Sequence, residues 1–478
     1  MQQTNSQTKI IATLGPSSST KEILHKMINE GVDVFRLNFS HSTLPEHLKL
    51  IHLIRDLNLE LETNVSILAD LQGPKLRLGE IENNLIRLNE GDIVTFVTEE
   101  CVGTKDHVYI SYHEFPQDVN VGEAILIDDG KIELEVTETN KRNVVKAKVI
   151  YGGPLSSNKG INLPDTAVSL PCLSTEDRSN VVFALENDID WIGLSFVRKA
   201  SDILELKELI KSKEGHALVI AKIEKPEALL EIDQIIELAD GIMVARGDLG
   251  VEIPYDEVPL IQKSIVEKCR AHSKPVIIAT QMMESMITNF RPTRAEANDV
   301  ANAVFDGADA LMLSGETSIG NYPVETIQSM QRIILYTENH AFQANPVGNR
   351  HIPVGSSPTF PADSICYNAS KLAEQVGAKA IILFTHSGYT AFKISGYRPN
   401  VTIYAFTNNK KLLHQLSLVW GINLFYFDTC NHVDMAISKS IEILTEKQLL
   451  KKGDSVIHVG STPLTEHGTT NMIKISCI

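Results

Sequence analysis

Along most of the chain, short apolar runs alternate with stretches in which apolar residues return at helical spacing. KIIATLGP at 9–16 reads as a strand ending in Gly-Pro. Ser19 and Thr20 can cap the helix that runs to Glu30, and Gly31 stops it. VFRLNFSH at 34–41 is a second strand, a helical stretch covers 45–61, and SILADLQ is a third strand with Asp70 near its end. After an interruption the series resumes at Ser174, a cap for the helix TEDRSNVVFALEND. WIGLSFV, which contains Ser195, then LVIAKIE, GIMVA, PVIIATQMM and ALMLSGETS make strands four to eight. Helices are expected at 226–239, where an early Pro226 forfeits no hydrogen bond, at 293–305 and at 324–338. Eight strands in such alternation form a (β/α)8 (TIM) barrel, a fold whose active sites lie at the C-terminal strand ends.

The interruption has a different texture. From Lys75 to about Asp165 the runs LIRL, DIVTFV, HVYISY, EAILIDD, KIELEV and VVKAKVI alternate with period two between Gly and Asp turns, with no convincing helix. A small antiparallel β-barrel lid inserted in a loop is expected there. After a Pro/Gly/Ser-rich linker at 345–361, strand and helix patterns return as a C-terminal α/β domain. The expected division is 1–74 and 166–344 for the large barrel, 75–165 for the lid and 345–478 for the last domain, with nothing further after the final strand.

Composition narrows the function classes. A net charge of -16 argues against nucleic-acid binding. No apolar run is long enough to span a membrane, and MQQTNSQTK lacks a signal-peptide core. The cysteines (Cys101, Cys172, Cys269, Cys366, Cys430, Cys477) are widely spaced with no CxxC pair, which fits reduced thiols in a cytoplasmic protein and no zinc site.

The chemistry concentrates at 218–250. Lys222 and Glu224 share one face near the end of LVIAKIE, and Arg246, Gly247 and Asp248 end the next strand, GIMVA. Glu224 and Asp248 suit a hard cation such as Mg²⁺, which takes one or two carboxylates and keeps other sites for water and substrate oxygens. Lys222 is placed to neutralise an anionic substrate, and the turn GDLG offers backbone N–H groups to a carboxylate or phosphate. Arg36, Asn38 and Ser40 alternate onto one face, and Thr280, Ser314 and Glu316 fall at later strand ends. Thr385, Ser387, Gly388 and Thr390 lie between a strand and a helix, where they can form either a phosphate-binding turn or a plain cap.

VFRLNFSH, ADLQGPKLRLG, NKGINLPD, AKIEKPEAL, GIMVARGDLG, ATQMMESM and RPTRAEANDVANAVFDGADALMLSGETSIGNYP, in this order over nearly the whole chain, resemble the pyruvate kinase family. The resemblance implies phosphoryl transfer from phosphoenolpyruvate to ADP, giving pyruvate and ATP. It implies Mg²⁺ or Mn²⁺ on Glu224 and Asp248, and Lys222 at the phosphoryl group in flight. Gly247, Asp248 and Thr280 would hold the substrate carboxylate, with Thr280 also orienting the proton relay. Arg36 and Arg77 would face the phosphates, while Asn38, Ser40, His41 and Lys159 would line the nucleotide side. Arg294 and Glu296 read instead as a structural helix start. Three departures stand out. Ser42 follows His41 where the family has Gly, a small-for-small change. Ile319 replaces a nucleotide-contacting lysine. Asp70-Leu71-Gln72-Gly73-Pro74-Lys75, with Leu78 after it, resembles the potassium-independent branch, in which Lys75 would supply the missing monovalent charge. A homotetramer is implied by the family alone. The final loop, 460–470, lacks Arg, Lys and Trp, so a sugar or nucleotide monophosphate, or no effector, is expected ahead of a bisphosphate. Two other readings stay open: a Mg²⁺-dependent lyase or aldolase acting through a pyruvate enolate, and a catalytically inactive binding protein.

Overall fold

The computed structural model describes residues 6–344, 352–353, 355, 357–428, 432–463 and 470–478. Eight parallel strands close into a barrel: β1 (Lys9–Thr13), β2 (Val34–Asn38), β3 (Ser66–Asp70), β4 (Trp191–Leu194), β5 (Leu218–Ile223), β6 (Gly241–Ala245), β7 (Val276–Ala279) and β8 (Ala310–Leu313). Alternation along each strand sorts its side chains. Ile10, Ile67, Ile192 and Val219 pack with the surrounding helices, while Ile11, Val34, Leu68, Trp191, Ile220, Met243 and Ile277 form a separate inner cluster. The inner set turns polar toward the C-terminal ends. Val34 gives way to Arg36 and Asn38, Leu68 to Asp70, and Ile220 to Lys222 and Glu224.

Helix starts follow their caps. The Thr20 hydroxyl accepts from Ile23 N at 3.4 Å, and Ser174 accepts from Asp177 N at 3.0 Å. Thr293 and Glu296 form a reciprocal capping box, so Glu296 has the structural role expected of it. The helix expected at 226–239 is two, Pro226–Leu230 and Ile232–Leu238. They part at Glu231, whose carboxylate accepts from Ala200 N at 2.9 Å on the neighbouring helix.

The lid differs from the antiparallel barrel expected. Its six-stranded sheet is mixed, because Ile93–Val97 and His107–Tyr109 pair in parallel, and a separate two-stranded sheet joins Ile86–Leu88 to Gly153–Leu155. Parallel neighbours cannot be joined by a tight hairpin, so the segment between them crosses over and returns the chain in the same direction. One short α-helix, Phe115–Asp118, interrupts the strands and buries Phe115; a single turn of that length carries no readable period. Two crossings join lid to barrel. On the way out, Gln72 N and Gly73 N donate to Asp177 Oδ1 at 3.1 and 3.3 Å; on the return, Arg198 donates to the carbonyls of Val168 and Leu170.

The C-terminal sheet runs Ile422–Tyr426, Thr402–Thr407, Ala380–Phe384, Ser455–Gly460, Met472–Cys477, with only the last strand antiparallel. This domain covers the end of the barrel away from the polar strand ends. Trp191 Nε1 donates to Gln415 O at 3.1 Å, Leu418 joins the inner barrel cluster, and Arg398 pairs with Asp309 at 2.9 Å. Cys101, Cys172, Cys269, Cys366 and Cys477 are free thiols; Cys430, much of the 345–361 linker and residues 464–469 lie outside the described residues. Among the described residues no helix is long and apolar enough to cross a membrane.

Candidate active site

A chain of charge crosses the barrel mouth. Arg36, on β2, donates to Thr13 Oγ1 at 2.9 Å and sets Nε and Nη2 each 2.6 Å from Asp70 Oδ2 on β3. Lys222 Nζ, on β5, lies 3.0 Å from Asp70 Oδ1, 2.9 Å from Glu224 Oε1 and 2.6 Å from Ser195 Oγ. β3 and β5 are not neighbours; β4 lies between them, and Gly193 is its residue at this level. A Cβ on Gly193 would sit 3.3 Å from Asp70 Oδ1 and 3.6 Å from Lys222 Cδ, so a glycine there lets the ammonium and the carboxylate meet across the intervening strand.

The electrostatics of this cluster are set by burial. Asp70 is 1% exposed; burial alone would raise its carboxyl, but Lys222 and Arg36 hold it below the usual carboxylate range. Lys222 is 8% exposed; burial works against its charge, yet Asp70 and Glu224 outweigh that and raise it above the ordinary lysine value. Glu224 goes the other way. Burial raises it first, Lys222 opposes, and the negative charge of Asp248 adds to the rise, although Phe196 N donates to its second oxygen at 2.7 Å. A carboxylate held up in this way by a second negative charge is what a shared divalent cation relieves. Among the described residues no group of three or more His, Cys, Asp or Glu side chains could hold a metal, so an ion here would rely on these two carboxylates plus water and substrate oxygens, which suits Mg²⁺.

Beside this cluster, Thr280 is held in a strained turn. Its φ is 69°, and Gln281 follows at 53°, a conformation that costs on the order of 1–3 kcal/mol for a side chain with a Cβ. Arg246 fixes it, donating to Thr280 O at 2.8 Å while both terminal nitrogens bind Asp299 at 2.8 Å. Gly247 N donates to Thr280 Oγ1 at 2.7 Å, so the two residues expected to share a carboxylate already meet.

Asn38, Ser40 and His41 make one turn after β2, with Ser40 N donating to Asn38 Oδ1 at 3.1 Å. Ser42 has φ 68°, so the reason for a family glycine there is conformation rather than size. Burial, then the charges of Arg77, Arg36 and Lys75, push His41 below the ordinary histidine value, which places these cations around it. Arg77 Nη1 donates to Asn158 O at 3.1 Å within the lid. Lys75 Nζ is 4.0 Å from Asp248 Oδ1, on the side of the carboxylate expected to hold the metal. Lys159 is tied to Asp128 of the lid at 2.7 Å rather than to the barrel residues.

At the C-terminal turn, Thr385 Oγ1 accepts from Gly388 N at 2.9 Å, and Thr390 is buried against Thr470 Oγ1 at 2.7 Å. Thr385 thus caps its own turn, Gly388 and Thr390 are buried, and Ser387 is left as the outward member of the set. Ser195, the Phe196 N–H, Gly193, Arg246 and Asp299 had been given no role from the sequence. Ser195 and Arg246 stand at strand ends, whereas Gly193 lies within its strand and Asp299 within the helix Arg294–Asp306, where no local pattern marks them.

A parallel barrel whose mouth gathers Arg36, Lys222, Arg77 and Lys75 around paired carboxylates, under a separate lid, is built as a phosphotransferase. Comparison with known proteins narrows the class. Residues 5–327 match the family model "Pyruvate kinase, barrel domain", and residues 363–476 match "Pyruvate kinase, alpha/beta domain". The chain is 42% identical over 473 residues to pyruvate kinases of Sporosarcina psychrophila and Geobacillus stearothermophilus, covering 98% of this chain and 80% of each relative. It is 41% identical to that of Agrobacterium vitis over 477 residues, covering 99% of this chain and 98% of the relative. A solved pyruvate kinase structure from Cryptosporidium parvum superposes with a TM-score of 0.92 at 35% identity, covering 99% of this chain and 96% of that one. The chain belongs to the pyruvate kinase family, and its activity is that of a pyruvate kinase.

Proposed function

We propose that this site carries out glycolytic phosphoryl transfer from phosphoenolpyruvate to ADP with the residues of the barrel mouth in the following roles. Glu224 and Asp248 hold Mg²⁺ or Mn²⁺, which supplies positive charge where substrate oxygens gather. Lys222 neutralises the phosphoryl group as it moves, and the observation that carries this reading is its fixed position between Asp70, Glu224 and Ser195. Arg36, locked by Asp70 and Thr13, faces the phosphate. Gly247, Asp248 and Thr280 take the substrate carboxylate, and Thr280 orients the proton relay that turns enolate into pyruvate. Asn38, Ser40, His41 and Arg77 line the nucleotide side, and Lys159 reaches it by leaving Asp128. Titrating Mg²⁺ against rate tests the metal assignment. Glu224→Gln is expected to keep the fold and to raise the Mg²⁺ needed for half-maximal rate at least tenfold; unchanged metal dependence would overturn it.

Lys75 supplies the monovalent charge, which makes K⁺ dispensable. In support, its charge is felt at His41, in the turn that carries Asn38 and Ser40. The enzyme works as a cytoplasmic homotetramer, as its family does. Ser387, the exposed hydroxyl of the 385–390 turn, takes one phosphate of a sugar or nucleotide monophosphate, with no cationic partner for a second phosphate in the 460–470 loop.

A further inference from the structure

The helix Arg246–Glu252 starts with the site residues Gly247 and Asp248 and ends on a carboxylate the site does not use. Glu252 is 5% exposed. Its Oε1 accepts from two directions: from Lys225 Nζ at 2.8 Å and from Asn162 Nδ2 at 2.8 Å. Lys225 is itself buried and directly follows Glu224. Asn162 belongs to the lid, on the strand Ile161–Asn162, which pairs with Leu126 and Ile127. The same lid edge carries Lys159, and Gly160 beside it bridges Arg77. A second lid segment rests on this helix: a Cβ on Gly130 would lie 3.7 Å from Val251 Cγ1, and Gly130 closes the turn whose Asp128 holds Lys159.

We propose that Glu252 is the seat on which the lid closes, with Asn162 as the lid's contact and Lys225 as the link to the metal-site strand. Beyond Lys225, the buried Glu252 carboxylate takes its other donor from the lid rather than from the barrel, and its Oε2 has no partner among the described residues. The lid amide that joins it gives closure a hydrogen bond to a charged acceptor in a dry setting. One carboxylate thereby ties three parts of the reaction together: the strand end bearing Glu224, the helix bearing Asp248 and the lid edge bearing Lys159 and Arg77. Glu252 and Asn162 are positioning residues, since neither is assigned a contact with the reacting groups. The proposal rests on the pyruvate kinase reading of the site.

Asn162→Ala removes the lid's half and leaves the Glu252–Lys225 pair intact. The KM for ADP is expected to rise about threefold to tenfold, and backbone amides at 158–163 to exchange faster with deuterium. Exchange of the pyruvate methyl protons, which needs no ADP, is expected to stay within twofold. Asn162→Asp sets two carboxylates face to face and is expected to be worse than alanine. Adding Glu252→Gln to Asn162→Asp swaps the charge, lets Lys225 pair with the lid, and is expected to recover most of the loss. Unchanged ADP dependence and unchanged amide exchange in both single variants would overturn the proposal, as would a loss of methyl exchange equal to the loss of phosphoryl transfer. Amide exchange needs no activity, so a wild type unable to make pyruvate would count against the site reading and leave the seat to be decided by the lid's protection.

Discussion

Lys222→Met removes the one charge that touches Asp70, Glu224 and Ser195 together. A preorganised donor at developing charge contributes roughly 3–4 kcal/mol, so kcat is expected to fall by ~10²–10³. The structure also sets the stability cost. Orphaning a buried charge usually costs about 3–5 kcal/mol. Asp70 keeps both contacts from Arg36, whereas Glu224 keeps only the Phe196 N–H and still faces Asp248. Glu224 already lies above the ordinary carboxyl value and takes up a proton when Lys222 is gone, which holds the cost near the lower end of that range. The sign follows from linkage: a carboxyl raised in the fold binds a proton that the unfolded chain has lost above about pH 4.5, so the variant should lose stability relative to wild type as pH rises. Pyruvate formation coupled to NADH oxidation measures the rate, and methyl-proton exchange of pyruvate by NMR measures the enolate half-reaction, which is expected to lose less. A loss under tenfold in transfer, or an equal loss in both reactions, would refute the role given to Lys222.

Ser195→Ala should lower kcat about tenfold, about 1.4 kcal/mol of barrier, because Lys222 loses an anchor at 2.6 Å while the phosphoenolpyruvate KM stays within twofold; a changed KM with unchanged kcat would oppose this. Wild type should run at near full rate with tetramethylammonium as the only monovalent cation, and Lys75→Glu should lose activity there and regain part of it with K⁺; a roughly tenfold fall of the wild-type rate without K⁺ would count against Lys75. His458 is fully buried, and burial, with Lys474 nearby, takes it from 6.5 down to about 4. The unfolded chain therefore binds a proton first as pH falls from 6.5 to 4, and at about 1.36 kcal/mol per unit the fold loses about 3 kcal/mol over that window. His458→Leu should flatten this part of a denaturation-versus-pH curve, and an unchanged slope would show that another group sets it.

The barrel was readable because each strand is an apolar run whose inner face turns charged at one end, as in Leu68 to Asp70 or Ile220 to Lys222. Charges at the ends of buried strands have few structural uses, which is why Lys222, Glu224 and Asp248 stood out. The lid's mixed pairing was not readable, since the period within Ile93–Val97 says nothing of the direction of its neighbour. Gly193 escaped because its contribution is an absent side chain, which shows only once β4 is set between β3 and β5. Lys225 lay inside a recognised motif and Glu252 just past another, yet neither carried a signal of pairing, being distant in sequence and joined only by the fold. Lys159 was placed by resemblance, and its tie to Asp128 depends on a register that no local pattern encodes.

The most direct test of the central claim is pyruvate formation from phosphoenolpyruvate by the purified chain, with ADP and Mg²⁺ each supplied or withheld. The expected result is pyruvate and ATP in equal amounts, only when both are present. Pyruvate released without ADP, or no pyruvate under any of these conditions, would contradict the assignment of phosphoryl transfer to this site.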